Sequence, residues 1–340
     1  MPPKRAKSPP GKKGKDKKDA KAKSPGPPPP IEWDFRNIYA IGGWDGSEWT
    51  QSVEMLDSQG GSWTETASMN TRRYGCAACL LGDHIYALGG WGRNTALQRV
   101  ERYDLNKKVW QFVPSMDSKR EGCVAAVCEN NMYVIGGFDG LDTLQSMERY
   151  DVKLGVWFAE PSMLSKRHCC SVAVVGKHIY VFGGWDGVRS LDSMERFDVE
   201  TKQWQTMPSM TYARNWCAAA VIGNHIYAVG GRDGPLVLQS VERFDTTTGV
   251  WTNMQPLKSK RSGCAAIAVG KNVYAIGGWN WTSWLYTVEK LDTERGGEWD
   301  NVSSMIHKRG LLTVVLHQQE KTAKGKKGKD KSPPKKGKKK

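Results

Sequence analysis

Hydrophobic and polar positions follow the same order in six consecutive segments of the chain. In the second segment, the apolar run at residues 76–81 predicts a strand buried on both faces, and Gly82-Asp83 predicts the tight turn after it. Residues 85–88 predict the second strand. Residues 100–104 alternate apolar and polar side chains, as a half-buried third strand does, and residues 110–113 predict the fourth. Each segment therefore predicts a four-stranded antiparallel sheet.

The six segments are repeats of one another. Gly-Gly pairs recur every 47 residues, beginning at Gly42, Gly89, Gly136, Gly183, Gly230 and Gly277. A fourth-strand tryptophan recurs with them, at Trp63, Trp110, Trp157, Trp204, Trp251 and, one residue late, Trp299. So does a third-strand glutamate, at Glu54, Glu101, Glu148, Glu195, Glu242 and Glu289. An arginine precedes each first strand, at Arg73, Arg120, Arg167, Arg214, Arg261 and Arg309. A period of this length is typical of β-propeller blades.

The repeat is similar to kelch repeats. The resemblance rests on the Gly-Gly pair, the VERYD-like strand, the tryptophan six residues after its aspartate, and the methionine that follows. It covers about residues 37–319 and implies an all-β, six-bladed kelch β-propeller. Three positions depart from the pattern: Leu257 replaces the methionine, Arg232 replaces the aromatic residue after Gly-Gly, and Gly92 replaces the usual aspartate.

The first repeat begins at Asn37 and lacks a first strand, whereas residues 312–317 form an apolar run with no second strand after it. We expect this C-terminal strand to complete blade one beside residues 37–41 and so to remove the exposed sheet edges. Such closure resembles that of the kelch domains of BTB-kelch proteins. No part of the 340 residues resembles a BTB domain. We therefore do not expect the chain to recruit a cullin by itself.

Charge divides the chain into a body, residues 31–320, and two tails. Residues 1–30 hold ten Lys/Arg against two Asp, and residues 321–340 hold eleven Lys against one Asp. The net charge is +15, whereas the central 290 residues carry 29 basic and 32 acidic groups. The tails have almost no apolar side chains to bury, so we expect them to be disordered. Their lysines suit a polyanion, which could be nucleic acid, the acidic tails of tubulin or anionic lipid, and PKRAK and PKKGKKK are also typical of nuclear-import signals.

Candidate partner-binding residues lie in loops that alternate strand direction places on one face of the propeller, here called the top face. The aromatic candidates are Trp44, Trp49, Trp91, Phe138, Trp185, Trp279, Trp281 and Trp284. The resemblance to peptide-binding kelch domains adds Arg73, Arg120, Arg167, Arg214, Arg261, Arg309 and Arg232. Clustered Trp and Arg are typical of binding hot spots, and the planar arginine fork suits carboxylates. Two structural alternatives stay open: aromatic packing between blades, and ion pairs between the repeated arginines and the third-strand glutamates.

The sequence offers little chemistry beyond binding. Cys76, Cys123, Cys170, Cys217 and Cys264 repeat in the first strand, which favours buried packing over a metal site. The six histidines predict no metal constellation, and we find no catalytic dyad, phosphate-binding loop or cofactor motif. No apolar run approaches the ~18 residues of a membrane span. We therefore predict a non-enzymatic protein without metal or cofactor.

These patterns predict a protein-interaction scaffold of the cytoplasm or cytoskeleton. Its top face would bind a segment of a partner protein, and its tails would anchor it to a polyanionic structure such as F-actin or microtubules. The alternative is a nuclear or chromatin-associated adaptor whose tails bind nucleic acid.

Overall fold

Each repeat folds into one four-stranded antiparallel sheet, and six such sheets are present in the described part of the computed structural model, residues 33–57 and 61–320. Within it, Asp34–Gln319 form one compact unit. The predicted tails, residues 1–30 and 321–340, lie outside the described residues.

The strands are numbered in chain order and grouped by blade. Blade one contains β1 (Trp33–Ile41), β2 (Val53–Asp57) and β3 (Trp63–Thr66). Blade two contains β4 (Ala77–Leu81), β5 (His84–Leu88), β8 (Val100–Asp104) and β9 (Val109–Val113), with a small hairpin of β6 (Trp91–Gly92) and β7 (Thr95–Ala96). Blade three contains β10 (Val124–Cys128), β11 (Asn131–Ile135), β12 (Met147–Asp151) and β13 (Val156–Glu160). Blade four contains β14 (Ser171–Val175), β15 (His178–Phe182), β16 (Met194–Asp198) and β17 (Gln203–Met207). Blade five contains β18 (Ala218–Ile222), β19 (His225–Val229), β22 (Val241–Asp245) and β23 (Val250–Met254), with a hairpin of β20 (Arg232–Asp233) and β21 (Leu236–Val237). Blade six contains β24 (Ala265–Val269), β25 (Asn272–Ile276), β26 (Val288–Asp292) and β27 (Asp300–Val302), and the last strand is β28 (Thr313–Glu320).

The C-terminal strand closes the ring, as the sequence predicted. One sheet has the order β28-β1-β2-β3, so blade one is built from both ends of the described chain. Leu312 and Val315 are buried there. Both ends extend slightly beyond the predicted strands, since β1 begins at Trp33 and β28 ends at Glu320.

Gly-Gly ends the second strand of each blade because another backbone passes too close for any side chain. Gly89 has φ +59°, and a Cβ there would lie 2.3 Å from the carbonyl oxygen of Arg120. Left-handed backbone without a Cβ penalty is available to glycine alone. The Gly-Gly pair therefore brings the arginine of the next repeat against the end of the blade.

Neighbouring blades pack face to face. Tyr86 and Leu88 of blade two form one buried cluster with Met132, Val134 and Trp157 of blade three. The fourth-strand tryptophans add a directional contact, since each indole Nε1 donates to a backbone carbonyl of the preceding blade. The six bonds run from Trp63 to Ser303, Trp110 to Ala67, Trp157 to Pro114, Trp204 to Pro161, Trp251 to Pro208 and Trp299 to Gln255. The tryptophan of the repeat thus joins blades, including blades six and one.

A closed ring of backbone hydrogen bonds encircles the propeller axis between the top face and the first strands. Each N–H donates to the carbonyl of the equivalent residue in the preceding blade, over 2.7–2.9 Å. The axial ring consists of Gly75, Gly122, Cys169, Trp216, Gly263 and Leu311. All six have left-handed backbone, with φ between +52° and +61°. A cavity of about 230 Å³, lined by these residues and the first strands, lies at the ring.

The sequence predicted a plain loop between the second and third strands of every blade. Blades two and five instead form the two-residue hairpins β6–β7 and β20–β21 there. No helix in the described residues is long and apolar enough to cross a membrane.

Candidate functional site

The top face is built from the loops between second and third strands and from the loops that lead from each fourth strand to the next blade. Within each blade the two loops are joined, because the residue after Gly-Gly pairs with the residue after the repeated arginine. Trp91 pairs with Tyr74 in this way, and Trp185 pairs with His168. Side chains at these two positions are therefore brought together around the axis.

The six repeated arginines lie inside the propeller. All are 0 % exposed. Each forms an ion pair with a third-strand glutamate over 2.6–3.0 Å: Arg73–Glu101, Arg120–Glu148, Arg167–Glu195, Arg214–Glu242, Arg261–Glu289 and Arg309–Glu54. The partner-binding prediction for Arg73, Arg120, Arg167, Arg214, Arg261 and Arg309 is therefore corrected. A guanidinium group without exposed area cannot contact a partner, and these groups hold blades together.

Arg167 shows how each arginine connects two blades. Its carbonyl accepts a hydrogen bond from Gly137 N of blade three at 2.8 Å. Its Nη1 donates to the carbonyl of Gly183 in blade four at 2.9 Å, and its Nη2 donates to Glu195 Oε1 at 2.8 Å. Glu195 also accepts the backbone N–H of Leu164 at 2.6 Å. The buried pair of Arg167 and Glu195 thus makes hydrogen bonds with backbone groups of both neighbouring blades.

The aromatic residues after Gly-Gly are partly buried. This holds for Trp44, Trp91, Phe138, Trp185 and Trp279. Each pairs through its backbone with the neighbouring loop, and Phe138 also stacks on His168 with ring centroids 5.9 Å apart. Part of each side chain remains accessible, so both packing and partner contact are compatible with these five positions.

The three additional tryptophans belong to blade one, which holds Trp49, and to blade six, which holds Trp281 and Trp284. Trp49 packs on Trp44 and Tyr74, with centroids 5.9 and 6.3 Å apart. Trp284 covers Gly310, where a Cβ would lie 2.1 Å from the indole. Trp281 stacks on Trp279 at 5.2 Å, yet it is 57 % exposed. Trp284 therefore has a packing role, whereas Trp281 presents its ring to solvent.

A basic groove of about 610 Å³ opens on the top face between blades one and two. Its lining includes Trp49 and four exposed basic residues, Arg72, Arg93, Arg99 and Lys119. None of its lining residues is acidic, although Glu48 forms an ion pair with Arg72 from outside the lining. The groove is a cationic surface bordered by an indole.

The loop of blade two that borders the groove differs in structure from its counterpart in blade one. In blade one, Asp45 Oδ1 accepts the backbone N–H groups of Ser47 and Glu48 and fixes the loop. Blade two has Gly92 at the equivalent position and folds the loop as the β6–β7 hairpin, with left-handed backbone at Arg93 and Asn94. The departure at Gly92 is visible in the sequence, whereas the groove arginines are not among the residues predicted to bind a partner.

Comparison with protein families is consistent with this geometry. The domain described as the KLHDC2/KLHL20/DRC7 Kelch-repeats domain matches residues 71–231 and 116–278, which together cover more than half of the chain. The Kelch motif matches residues 36–70 and 260–306. The chain belongs to the kelch-repeat family. Kelch propellers typically serve as protein-binding scaffolds and are generally non-catalytic. A search of curated protein sequences found no match.

Arg232, the remaining candidate, begins the β20–β21 hairpin on the kelch propeller's top face. It is half-buried, and its Nε donates to Asn215 Oδ1 at 3.0 Å. It takes the position that an aromatic residue has in the other five blades. Arg232 keeps part of its surface exposed, unlike the six repeated arginines.

The first-strand cysteines pack as the sequence favoured. Cys76, Cys123, Cys170, Cys217 and Cys264 are buried free thiols, and burial raises the pKa of each. Such thiols are unreactive at neutral pH because the nucleophilic species is the thiolate.

The fold does bring together one group of potential metal ligands, which the sequence did not predict. The ligand atoms of Glu121, His168 and Cys169 all lie within 4.8 Å of one another. Burial raises the pKa of Glu121 to about 7 and that of Cys169 well above its usual range. Burial also lowers the pKa of His168. The three groups share a site poor in solvent.

Proposed function

We propose that this kelch propeller is a non-enzymatic scaffold whose top face binds an acidic segment of a partner protein. The basic groove between blades one and two is the observation that carries the proposal. Arg72, Arg93, Arg99 and Lys119 line it together with Trp49. Complementary charge steers association and suppresses wrong partners, while an indole provides buried contact area.

The sign of the groove charge selects the partner chemistry. The central 290 residues carry 29 basic and 32 acidic groups, so the groove is a local feature rather than a consequence of net charge. Arginine forks bind carboxylates through two parallel hydrogen bonds. An acidic, extended segment with an aromatic or aliphatic residue to place against Trp49 satisfies the lining best.

Reversing two charges in the groove is expected to weaken acidic-peptide binding. We expect the Arg99→Glu, Lys119→Glu double variant of residues 31–320 to lose at least about tenfold in affinity for a fluorescein-labelled Glu-rich peptide, a change of about 1.4 kcal/mol. Like charges face each other in the variant, and both side chains are exposed, so the fold is unaffected. Fluorescence anisotropy measures the affinity.

The matched control carries the same change of charge on the opposite face. Lys107 and Lys153 lie in exposed turns between third and fourth strands. Their replacement by glutamate is expected to leave the affinity within about twofold, because charges beyond a ~10 Å Debye length are screened. If both double variants weakened binding equally, the peptide would be attracted by the overall charge of the protein, and the groove would not be its specific binding site.

The anchoring role of the tails is proposed from the sequence, because the tails lie outside the described residues. We favour attachment to actin filaments or microtubules in the cytoplasm, with a nuclear, nucleic-acid-bound adaptor as the alternative. Co-sedimentation of the full chain and of residues 31–320 with both filaments, at low and moderate salt, separates the two elements. Pelleting by the full chain alone, with release by salt, supports the tails as the anchor. Pelleting by both would place the filament contact on the propeller, and pelleting by neither would favour nucleic acid.

A further inference from the structure

Three side chains capable of binding a metal meet at the mouth of the axial ring. Glu121 and His168 occupy the same repeat position in blades three and four, directly after the buried arginine, and Cys169 is the next residue. Their ligand atoms lie within 4.8 Å of one another. In the other four blades this position holds Tyr74, Asn215, Ser262 and Gly310. The donor cluster is therefore a local departure from the sixfold pattern.

Glu121 places a carboxyl group in the interior of the propeller. Its side chain is 8 % exposed, and within the described residues it makes neither a hydrogen bond nor an ion pair. Its Oε1 points over the axial ring, 2.7 Å from where a Cβ of Gly75 would lie. A buried carboxylate is costly unless a cation or hydrogen-bond donor compensates it. A cation bound beside His168 and Cys169 would compensate the charge of Glu121.

Cys169 is one of three residues of the axial ring that carry a side chain, together with Trp216 and Leu311. Its φ is +54°, and the equivalent residues of blades two, three and six are Gly75, Gly122 and Gly263. Left-handed backbone strains a residue with a side chain, so glycine fits this position with less strain than cysteine does. The Sγ atom lies 2.8 Å from where a Cβ of Gly122 would lie, close to the neighbouring blade.

We propose that Glu121, His168 and Cys169 form a three-ligand zinc site at the top of the axial channel. Thiolate, imidazole and carboxylate are the donors that Zn²⁺ prefers, and three protein ligands leave a fourth tetrahedral position for water or a ligand. Tetrahedral bonds of about 2.0–2.3 Å place ligand atoms roughly 3.5 Å apart. Side-chain rotations that close the present spacing by about an ångström complete the site.

Neighbouring groups support this assignment. His168 Nδ1 lies 3.0 Å from Thr143 Oγ1, a contact that fixes the imidazole as partners of zinc-bound histidines do. Metal binding requires deprotonated ligands, so Glu121 and Cys169 would bind Zn²⁺ as a carboxylate and a thiolate. Two anionic ligands then balance the charge of Zn²⁺.

Cobalt substitution tests the site in the full chain. We expect one equivalent of Co²⁺ to produce the near-ultraviolet thiolate charge-transfer band and visible bands of tetrahedral coordination, and one equivalent of Zn²⁺ to displace it. Glu121→Gln is expected to weaken Co²⁺ binding at least about tenfold. Cys169→Gly is expected to abolish the charge-transfer band.

Cys169→Gly separates loss of the ligand from loss of the fold. Glycine is the residue of three equivalent positions, and the axial ring uses only backbone groups, so this variant is expected to melt at or above the wild-type temperature. Cys264→Ser and His178→Gln, which change the same residue types elsewhere, are expected to leave the spectrum unchanged. The proposal is overturned if the wild-type chain binds no stoichiometric Co²⁺, or if Cys169→Gly retains the band with equal affinity.

Discussion

Removal of residues 310–340 is expected to unfold or aggregate the propeller, whereas removal of residues 321–340 leaves its melting temperature unchanged. The longer deletion removes β28, the first strand of blade one, and exposes the edge of β1. It also removes Leu312 and Val315 from the core and breaks the axial ring at Leu311. Each buried aliphatic residue contributes about 2–5 kcal/mol. Their combined loss approaches the whole ~5–15 kcal/mol that keeps a domain folded. Differential scanning calorimetry of the two truncations measures the effect.

A point variant distinguishes strand packing from chain length. Val315→Asp in the full chain places an unpaired carboxylate in the core and is expected to lower the melting temperature strongly. The matched control is Val188→Asp, at an exposed loop position, where we expect a change within about 0.5 kcal/mol. If both truncations melted at the same temperature, closure by β28 would contribute nothing to stability.

The repeated positions of the sequence predict the architecture well. A 47-residue period, alternating strands and an unpaired apolar run near the C-terminus were enough to predict six blades and their closure. Such features are predictable because every repeat supplies the same evidence. Strand ends shift by only a few residues, as at β1, where the chain pairs earlier than the apolar pattern begins.

Repetition alone could not decide what the six arginines do. A residue present in every blade suits both a binding ring and an architectural one. The deciding signal was a second repeated residue of opposite charge at a fixed separation. Arg167 and Glu195 are 28 residues apart, and the other pairs within a repeat keep that spacing. A charge that recurs with its partner is typical of a buried structural pair.

The candidate sites lie where the repeat is broken. Gly92 removes the aspartate that fixes the equivalent loop of blade one, and the basic groove forms beside it. Glu121 and His168 differ from their counterparts in the other blades. They are 47 residues apart in the sequence, yet their ligand atoms lie close together in the folded propeller. Local motifs do not detect such a site, because its ligands come from different blades.

Replacing Arg167 with alanine is expected to lower the free energy of unfolding by about 3–5 kcal/mol, the usual cost of breaking a buried ion pair from one side. Glu195 would keep its charge without exposed area to solvate it, and the carbonyls of Gly183 and Ser193 would lose their donor. Arg167→Lys keeps the charge but not the fork, so we expect an intermediate loss. Urea denaturation followed by tryptophan fluorescence measures all three proteins.

The adjacent residue provides the control. Lys166 is exposed and lies 3.8 Å from the exposed Asp142, so Lys166→Ala is expected to change stability by no more than about 0.5 kcal/mol. A double Arg167→Met, Glu195→Leu variant removes both charges and tests whether the loss of stability comes only from leaving one buried charge without its partner. We expect it to remain destabilised, because Glu195 also accepts the backbone N–H groups of Leu164 and Ser165. Full recovery in the double variant would show that these backbone bonds are dispensable, and a stable Arg167→Ala variant would contradict a structural role for the repeated arginine.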